Sequence, residues 1–378
     1  LGISVGCNKG FDAINTLRMG TNDNEISQAD WQKAMIENDG HLFHSVCGQD
    51  SIQNVFKTII PNNNASSTSS SSSSSLLSNR IMEGGEMYCI EPMPETYKKL
   101  YHSATTLNYE SKGFIVTHAA ISKESNKDGM LFPSGGGGNG SGNNTINTVG
   151  GIENLGLETC QYMGPSRKAK NHCINVPVLS LKDFIATKVR SSKDVDTDNN
   201  NNNNRNINIL SIDVEGYDGD VLLGASSEVL NRVEYLEFEY NWMGSWREQH
   251  LYDIITMLYE DASMVCYWAG IEKLWRITNC WMLYYDIHSW SNIACVNTNL
   301  VPELATKMET IFQNTISSPI VTGKNNTGRN SQGKTVSYEY VPDEKKILLQ
   351  KGDTRKLPKI LAHIAMSRDK EKLAMKYL

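Results

Sequence analysis

Residues 207–225 read INILSIDVEGYDGDVLLGA. Four of the first six, Ile207–Ile212, are apolar and do not alternate strictly, which fits a strand buried on both faces better than a half-exposed one. Two acids follow at once, Asp213 and Glu215, and Gly216 then lets the chain turn into a helical pattern that begins at Asp218. Carboxylates placed where a buried strand ends must be solvated, paired or used. Two positions apart on an extended segment, they are expected to point to one side. Helix capping is an alternative for Glu215, so Asp213 is the stronger candidate for a chemical role.

Outward from this stretch the same rhythm repeats. Leu1–Val5 reads as a strand, followed by the loop Gly6-Cys7-Asn8-Lys9-Gly10 and a helix start at Phe11. Glu86–Ile90 (EMYCI) reads as a strand closed by Glu91, and Pro94–Leu107 as a helix with Glu95 early and Lys98 and Lys99 later, as a helix dipole prefers. Further strands are expected at Gly113–Ala119, Asn175–Leu179 and Val233–Phe238, with helices at Leu181–Lys188 and Gln249–Tyr259. A late pair, Ser263–Trp268 and Leu274–Thr278, fits an antiparallel hairpin at a sheet edge. Strands alternating with helices predict an α/β domain: a mostly parallel sheet with helices on both faces.

Candidate chemistry gathers where these strands end. A strand that runs into Gly6-x-Asn8-x-Gly10 turns sharply, and its glycines let a ligand approach closer than a Cβ permits. The helix beyond offers unpaired N–H groups. Glu91 ends the second strand, where an acid accepts hydrogen bonds from both hydroxyls of a ribose. Its distance from the glycines is far longer than the ~20 residues of a dinucleotide site, and the excess, residues 21–80, reads as an insertion. His118 ends a third strand and is read as a structural histidine ahead of a base.

Composition narrows the classes. The 378 residues carry a net charge of −6, which argues against bulk nucleic-acid binding. No apolar run reaches membrane-spanning length. The eight cysteines (Cys7, Cys47, Cys89, Cys160, Cys173, Cys266, Cys280 and Cys295) form no CxxC pair and suggest neither a zinc framework nor a dense disulfide scaffold. Cys89 and Cys266 lie in apolar runs, where buried thiols are expected. Polar low-complexity runs at 62–75, 134–145 and 197–206 read as loops, and the four sequons at Asn64, Asn139, Asn143 and Asn325 fall in such polar stretches. The body is expected to span 1–300, with a polar linker and an amphipathic helical tail over 301–378, carried by Ile360, Leu361, Ile364 and Leu373. A chain that opens inside an apolar strand without Met is read as a fragment or processed form.

NILSIDVEGYDGDVLLGA resembles the signature of FkbM-type methyltransferases, in which a strand runs into I-D-V-E-G and an acidic, Leu-rich helix ending in G-A. Three further phrases match in order: ISVGCNKG resembles the family's first glycine motif, YCIEPMPETYKKL its E-P-x-P segment, and HAAIS followed by VPVLSLKDF its later strands. The resemblance implies a class I fold, a Rossmann-like seven-stranded, mostly parallel sheet with an antiparallel edge strand. It implies S-adenosylmethionine as cofactor and O-methylation of a hydroxyl on a sugar or small metabolite. Gly6, Asn8 and Gly10 would then face the methionine end, Glu91 the ribose and Ala120 the adenine. Asp213 would bond the cofactor amine or act as base, with Glu215 as second-choice base. The chain departs from the family at Ser4, often an acid, at Ser211, often a lysine, and at Lys182, which leaves Asp183 alone.

Three other readings stay open at this level. A nucleotide-dependent oxidoreductase calls for G-x-G-x-x-G, which CNKGFD does not supply. A methyltransferase-like binding module without chemistry is compatible with Ser4 and Ser211. Asp213, Glu215 and Glu239 offer oxygen ligands for a divalent metal, although no spacing demands one. Trp242, Trp246, Tyr267 and Trp268 are candidates for an acceptor pocket, with core packing the commoner use of such residues.

Overall fold

The computed structural model describes residues 1–37, 85–134, 160, 172–189, 205–270, 272–286, 288, 290–317, 327–329 and 335–337. The serine run 62–75, residues 135–145 of the glycine run, residues 197–204 of the asparagine run, the four sequons, Cys47 and the expected tail helix lie outside the described residues.

The main sheet has eight strands. Five are parallel neighbours: β1 (Gly2–Val5), β2 (Met87–Glu91), β3 (Phe114–His118), β7 (Ile207–Ile212) and β8 (Val233–Tyr240). Three are antiparallel to their neighbours: β9 (Met264–Gly270), β10 (Lys273–Arg276) and β11 (Ser291–Asn297). The order is β3-β2-β1-β7-β8-β11-β9-β10. The expected late hairpin is β9–β10, whose β10 is the expected antiparallel edge strand, and the sheet has one strand more than the seven expected. β11 returns between β8 and β9, inside the sheet, because its apolar run IACV is covered on both faces. A second sheet, not expected from the sequence, sets β4 (Ala120–Ser122) and β5 (Asn126–Ser134) on either side of β6 (His172–Ser180).

Alternation along the strands gives the sheet two apolar faces. On one, Ile3, Val5, Tyr88, Ile90, Leu210, Ile212, Leu236 and Phe238 form one continuous core with α4 (Leu181–Lys188), α5 (Asp218–Leu223), α6 (Ser227–Leu230) and α7 (Leu251–Ala262). The other face is divided. α1 (Phe11–Thr21), α2 (Gln28–Glu37) and α3 (Pro94–Thr106) cover Met87, Cys89 and Phe114. α8 (Pro302–Ser317) packs Met308 against Tyr235, Tyr267 and Val296. Between the two patches runs a polar seam of register partners, Ser4, Ser211 and Glu237, all buried. Ser4 and Ser211, the two strand positions at which the resemblance noted above breaks, are thus direct neighbours.

Three disulfides, Cys7–Cys89, Cys160–Cys173 and Cys266–Cys295, correct the reading of Cys89 and Cys266 as buried thiols. Sequence spacing hid the first and last because strand neighbours bring them together: Cys266 and Cys295 are direct register partners of β9 and β11.

Candidate functional site

The glycine loop leaves β1 under constraints that explain its sequence. Gly6 has φ 76°, Asn8 φ 48° and Gly10 φ 74°, a left-handed backbone that glycine adopts freely and asparagine tolerates best among the rest. A Cβ on Gly6 would run into the carbonyl oxygen of Asp213, so the loop lies against the end of β7. A Cβ on Gly10 would press on Leu100 and Trp31, and Trp31 Nε1 donates to Lys9 O at 2.7 Å.

The loop is also fastened to β2. Gly6 N and Cys7 N both donate to Ile90 O, each at 3.0 Å. Asn8 N donates to Glu91 Oε2 at 2.9 Å and Met93 N to Glu91 Oε1 at 2.8 Å. Glu91 is buried, and its pKa is pushed up to about 7, chiefly by burial, with the charge of Asp213 adding to the rise and the two N–H donors opposing it. Each carboxylate oxygen keeps a further acceptor position beyond its backbone donor.

Asp213 N donates to Val5 O at 2.9 Å, which extends the β1–β7 pairing one step past the strand. The Asp213 side chain is exposed and that of Glu215 half-buried. The extended segment on which strand alternation is expected to carry both acids is absent. The strand stops at Ile212, and Glu215 at φ 54° with Gly216 at φ 96° turns the chain. Their charges still converge on one group. Asp218, fully buried, accepts from Glu239 N at 3.1 Å. Burial raises its pKa well above the ordinary carboxylate range, and Asp213 and Glu215 raise it further. Glu239 Oε2 in turn accepts from Asn241 Nδ2 at 2.8 Å.

Gly6, Asn8, Gly10, Glu91 and Asp213 therefore come together at the carboxyl ends of three adjacent strands, β2, β1 and β7. Ala120 lies two residues past His118, the register partner of Glu91, but it opens the second sheet beside Val178. His118 faces Pro92 O through Nε2 at 3.1 Å and stacks on Tyr97 with ring centroids 4.4 Å apart; burial lowers its pKa. Among the described residues no group of three His, Cys, Asp or Glu side chains is arranged to hold a metal ion.

The aromatic candidates divide. Trp246 and Tyr267 are buried, and Trp246 Nε1 donates to Glu239 O at 3.0 Å, so both serve the core. Trp242 is 50% exposed and meets Trp290 edge-on at 5.3 Å. Trp242 follows β8 by two residues and Trp290 directly precedes β11, so the pair stands at the same rim as Asp213.

Sequence reasoning missed Asp218, Glu237 and Trp290. Asp218 was passed over as a helix-start acid. Glu237 sits in an apolar strand, where Tyr235 Oη and Asn292 Nδ2 donate to its two oxygens at 3.1 and 3.2 Å and burial lifts its pKa to about 7. Trp290 lies in a strand approach that has no local signal.

Compared with known proteins, residues 61–262 match the family model of the methyltransferase FkbM domain, more than half of the 378 residues. The match spans Glu91, Asp213 and Glu215, while the glycine loop precedes it. No curated protein and no solved structure matches. Among the described residues no helix is long and apolar enough to cross a membrane.

Proposed function

The chain belongs to the methyltransferase FkbM family, and on that premise we propose that it is an S-adenosylmethionine-dependent methyltransferase that methylates a hydroxyl oxygen of a sugar or small metabolite. One observation carries the reading: at the ends of adjacent parallel strands the glycine loop is hydrogen-bonded to the buried Glu91 and packs against the backbone of the exposed Asp213. The donor set fits the cofactor. Glu91 retains acceptor capacity for two ribose hydroxyls after satisfying Asn8 N and Met93 N. The carboxylates around Asp213 suit a ligand that carries a sulfonium and an ammonium. The strand order, with β10 as an addition at the edge, supports a seven-stranded class I arrangement as the core of this sheet.

When bound, S-adenosylmethionine supplies a methyl group activated on a cationic sulfur. Because that chemistry would leave a neutral sulfur and need no acid, the protein's part is alignment and proton removal. In this reading Gly6, Asn8 and Gly10 shape the bed for the methionine end, Glu91 orients the ribose, and Ala120 borders the adenine. Asp213, exposed at the rim, takes the proton of the acceptor hydroxyl or holds the cofactor amine, and Glu215 is the alternative base. Trp242 with Trp290 offers the acceptor an aromatic surface, which suits the apolar face of a sugar ring. The body of the domain is taken as 1–300. A second reading, a binding module without chemistry, is favoured only by the joint loss of the family's usual acid and lysine at the paired positions Ser4 and Ser211.

The test is calorimetric titration of S-adenosylmethionine into the protein beside Glu91→Ala and Asp213→Ala, followed by transfer of labelled methyl to a panel of sugars. Micromolar binding weakened by Glu91→Ala, with label in a sugar, is the expected result. Binding without transfer to any hydroxyl favours the second reading, and no binding by folded protein overturns both.

A further inference from the structure

Cys7 is the second residue of the glycine loop, and its sulfur is bonded to that of Cys89, two residues before Glu91 in β2. The disulfide is buried, with Cys7 7% and Cys89 0% exposed. It spans the same junction as the bonds from Gly6 N and Cys7 N to Ile90 O and from Asn8 N to the Glu91 carboxylate. The loop needs such fastening, since its left-handed positions include a non-glycine, Asn8 at φ 48°, and unfavourable backbone persists only where the surroundings over-determine it. The two cysteines are 82 residues apart, so without the bond only non-covalent contacts keep the loop and β2 in register. The other disulfides lie elsewhere: Cys266–Cys295 joins β9 to β11, and Cys160–Cys173 reaches β6.

We propose that the Cys7–Cys89 disulfide is a positioning element of the cofactor site, holding the glycine loop at the spacing from β2 at which the loop and Glu91 face the cofactor together. The claim rests on the cofactor reading above. Reduction takes two electrons and two protons from a dithiol, which is itself oxidised to a disulfide, and leaves two thiols on the protein. The freed loop must then be ordered at the moment of binding, a cost on the order of tenfold in affinity. The domain accordingly reaches full affinity only in a compartment where disulfides persist.

The experiment measures S-adenosylmethionine affinity, melting temperature and hydrogen exchange of the Asn8 amide in four samples. These are the oxidised protein, the same protein reduced by a dithiol and then reoxidised, Cys7→Ala/Cys89→Ala, and Cys266→Ala/Cys295→Ala as the control. Expected are roughly tenfold weaker binding and faster Asn8 exchange in the first double variant and in the reduced protein, with recovery on reoxidation. The control is expected to melt lower yet bind as the parent does. Unchanged affinity in Cys7→Ala/Cys89→Ala overturns the proposal. If that variant does not fold, the folded parent is reduced, with alkylation and peptide mapping showing that Cys7 and Cys89 are freed beside the already free Cys280, and unchanged affinity there overturns it equally. Absence of binding by the oxidised parent removes the cofactor reading instead. The positioning claim is then decided by Asn8 exchange alone, where faster exchange in the reduced state supports it and equal exchange refutes it.

Discussion

Replacing Glu91 by glutamine separates the charge of this carboxyl from its shape. Burial moves its pKa from 4.5 to about 7 on folding. The folded state therefore holds a proton that the unfolded chain has released between those values. Stability from this group is fully present below pH 4.5 and is lost as pH rises through about 7. At about 1.4 kcal/mol per pH unit the loss amounts to about 3 kcal/mol. Glutamine does not titrate, but it has one acceptor oxygen where Glu91 meets two backbone donors, Asn8 N and Met93 N. One buried N–H left without a partner costs about 1–3 kcal/mol at every pH. Urea unfolding of both proteins from pH 4 to pH 8, with disulfides intact, gives the difference directly. Glu91→Gln is expected to be the less stable protein at pH 4, with its deficit shrinking by about 3 kcal/mol and vanishing or reversing by pH 8. Glu237 and Asp12, also shifted upward by burial, titrate in both proteins and largely cancel. A stability difference that does not change with pH would refute the assignment of a raised pKa to Glu91, and with it the account of the junction as a buried carboxyl held by two N–H groups.

Gly6→Ala is expected to lose about 1–2 kcal/mol from its left-handed backbone alone, and more from the push on Asp213; a thermal melt and a cofactor titration should both register it. Two tryptophans close in sequence should part company: Trp246→Ala, fully buried in the core, is expected to cost about 3–5 kcal/mol, whereas Trp242→Ala, at the rim and 50% exposed, should stay within about 0.5 kcal/mol while raising the acceptor's KM. Asp213→Asn, at an exposed carboxylate, is expected to keep its melting temperature and lower methyl transfer by about 10²–10⁴-fold; turnover near the parent's would remove Asp213 as the base.

What was legible in the sequence was what neighbours along the chain decide. Ile207–Ile212 declared a strand by its apolar run, and the residues after it declared a turn and a helix; the structure has both. The glycine loop and Glu91 were legible for the same reason, since the loop follows its strand immediately and Glu91 closes its own. Illegible features depend on partners distant in sequence. SNIACVN gives no hint that it inserts between β8 and β9, because that choice belongs to the two strands it pairs with. Nor does VEYLEFEY reveal that Glu237 will stand beside Ser211 in a seam dividing one face of the sheet. The turn at Glu215 was missed because Asp213 and Glu215 were treated as a continuing strand. Glu215 itself takes φ 54°, so the chain bends one residue ahead of Gly216, which rests against the Met243 backbone.

The Cys7–Cys89 bond also changes the covalent topology of the polypeptide. It closes a ring that contains the serine run 62–75. A single backbone cut anywhere between the two cysteines opens this ring without releasing a piece. The nicked chain migrates as one species on a non-reducing gel and as two after reduction. The same closure makes growth inside the ring inexpensive: doubling a flexible segment adds only about 0.6 kcal/mol of closure entropy. Repeat expansion between α2 and β2 thus leaves the glycine loop and Glu91 tied together, whatever the length of chain that separates them in sequence.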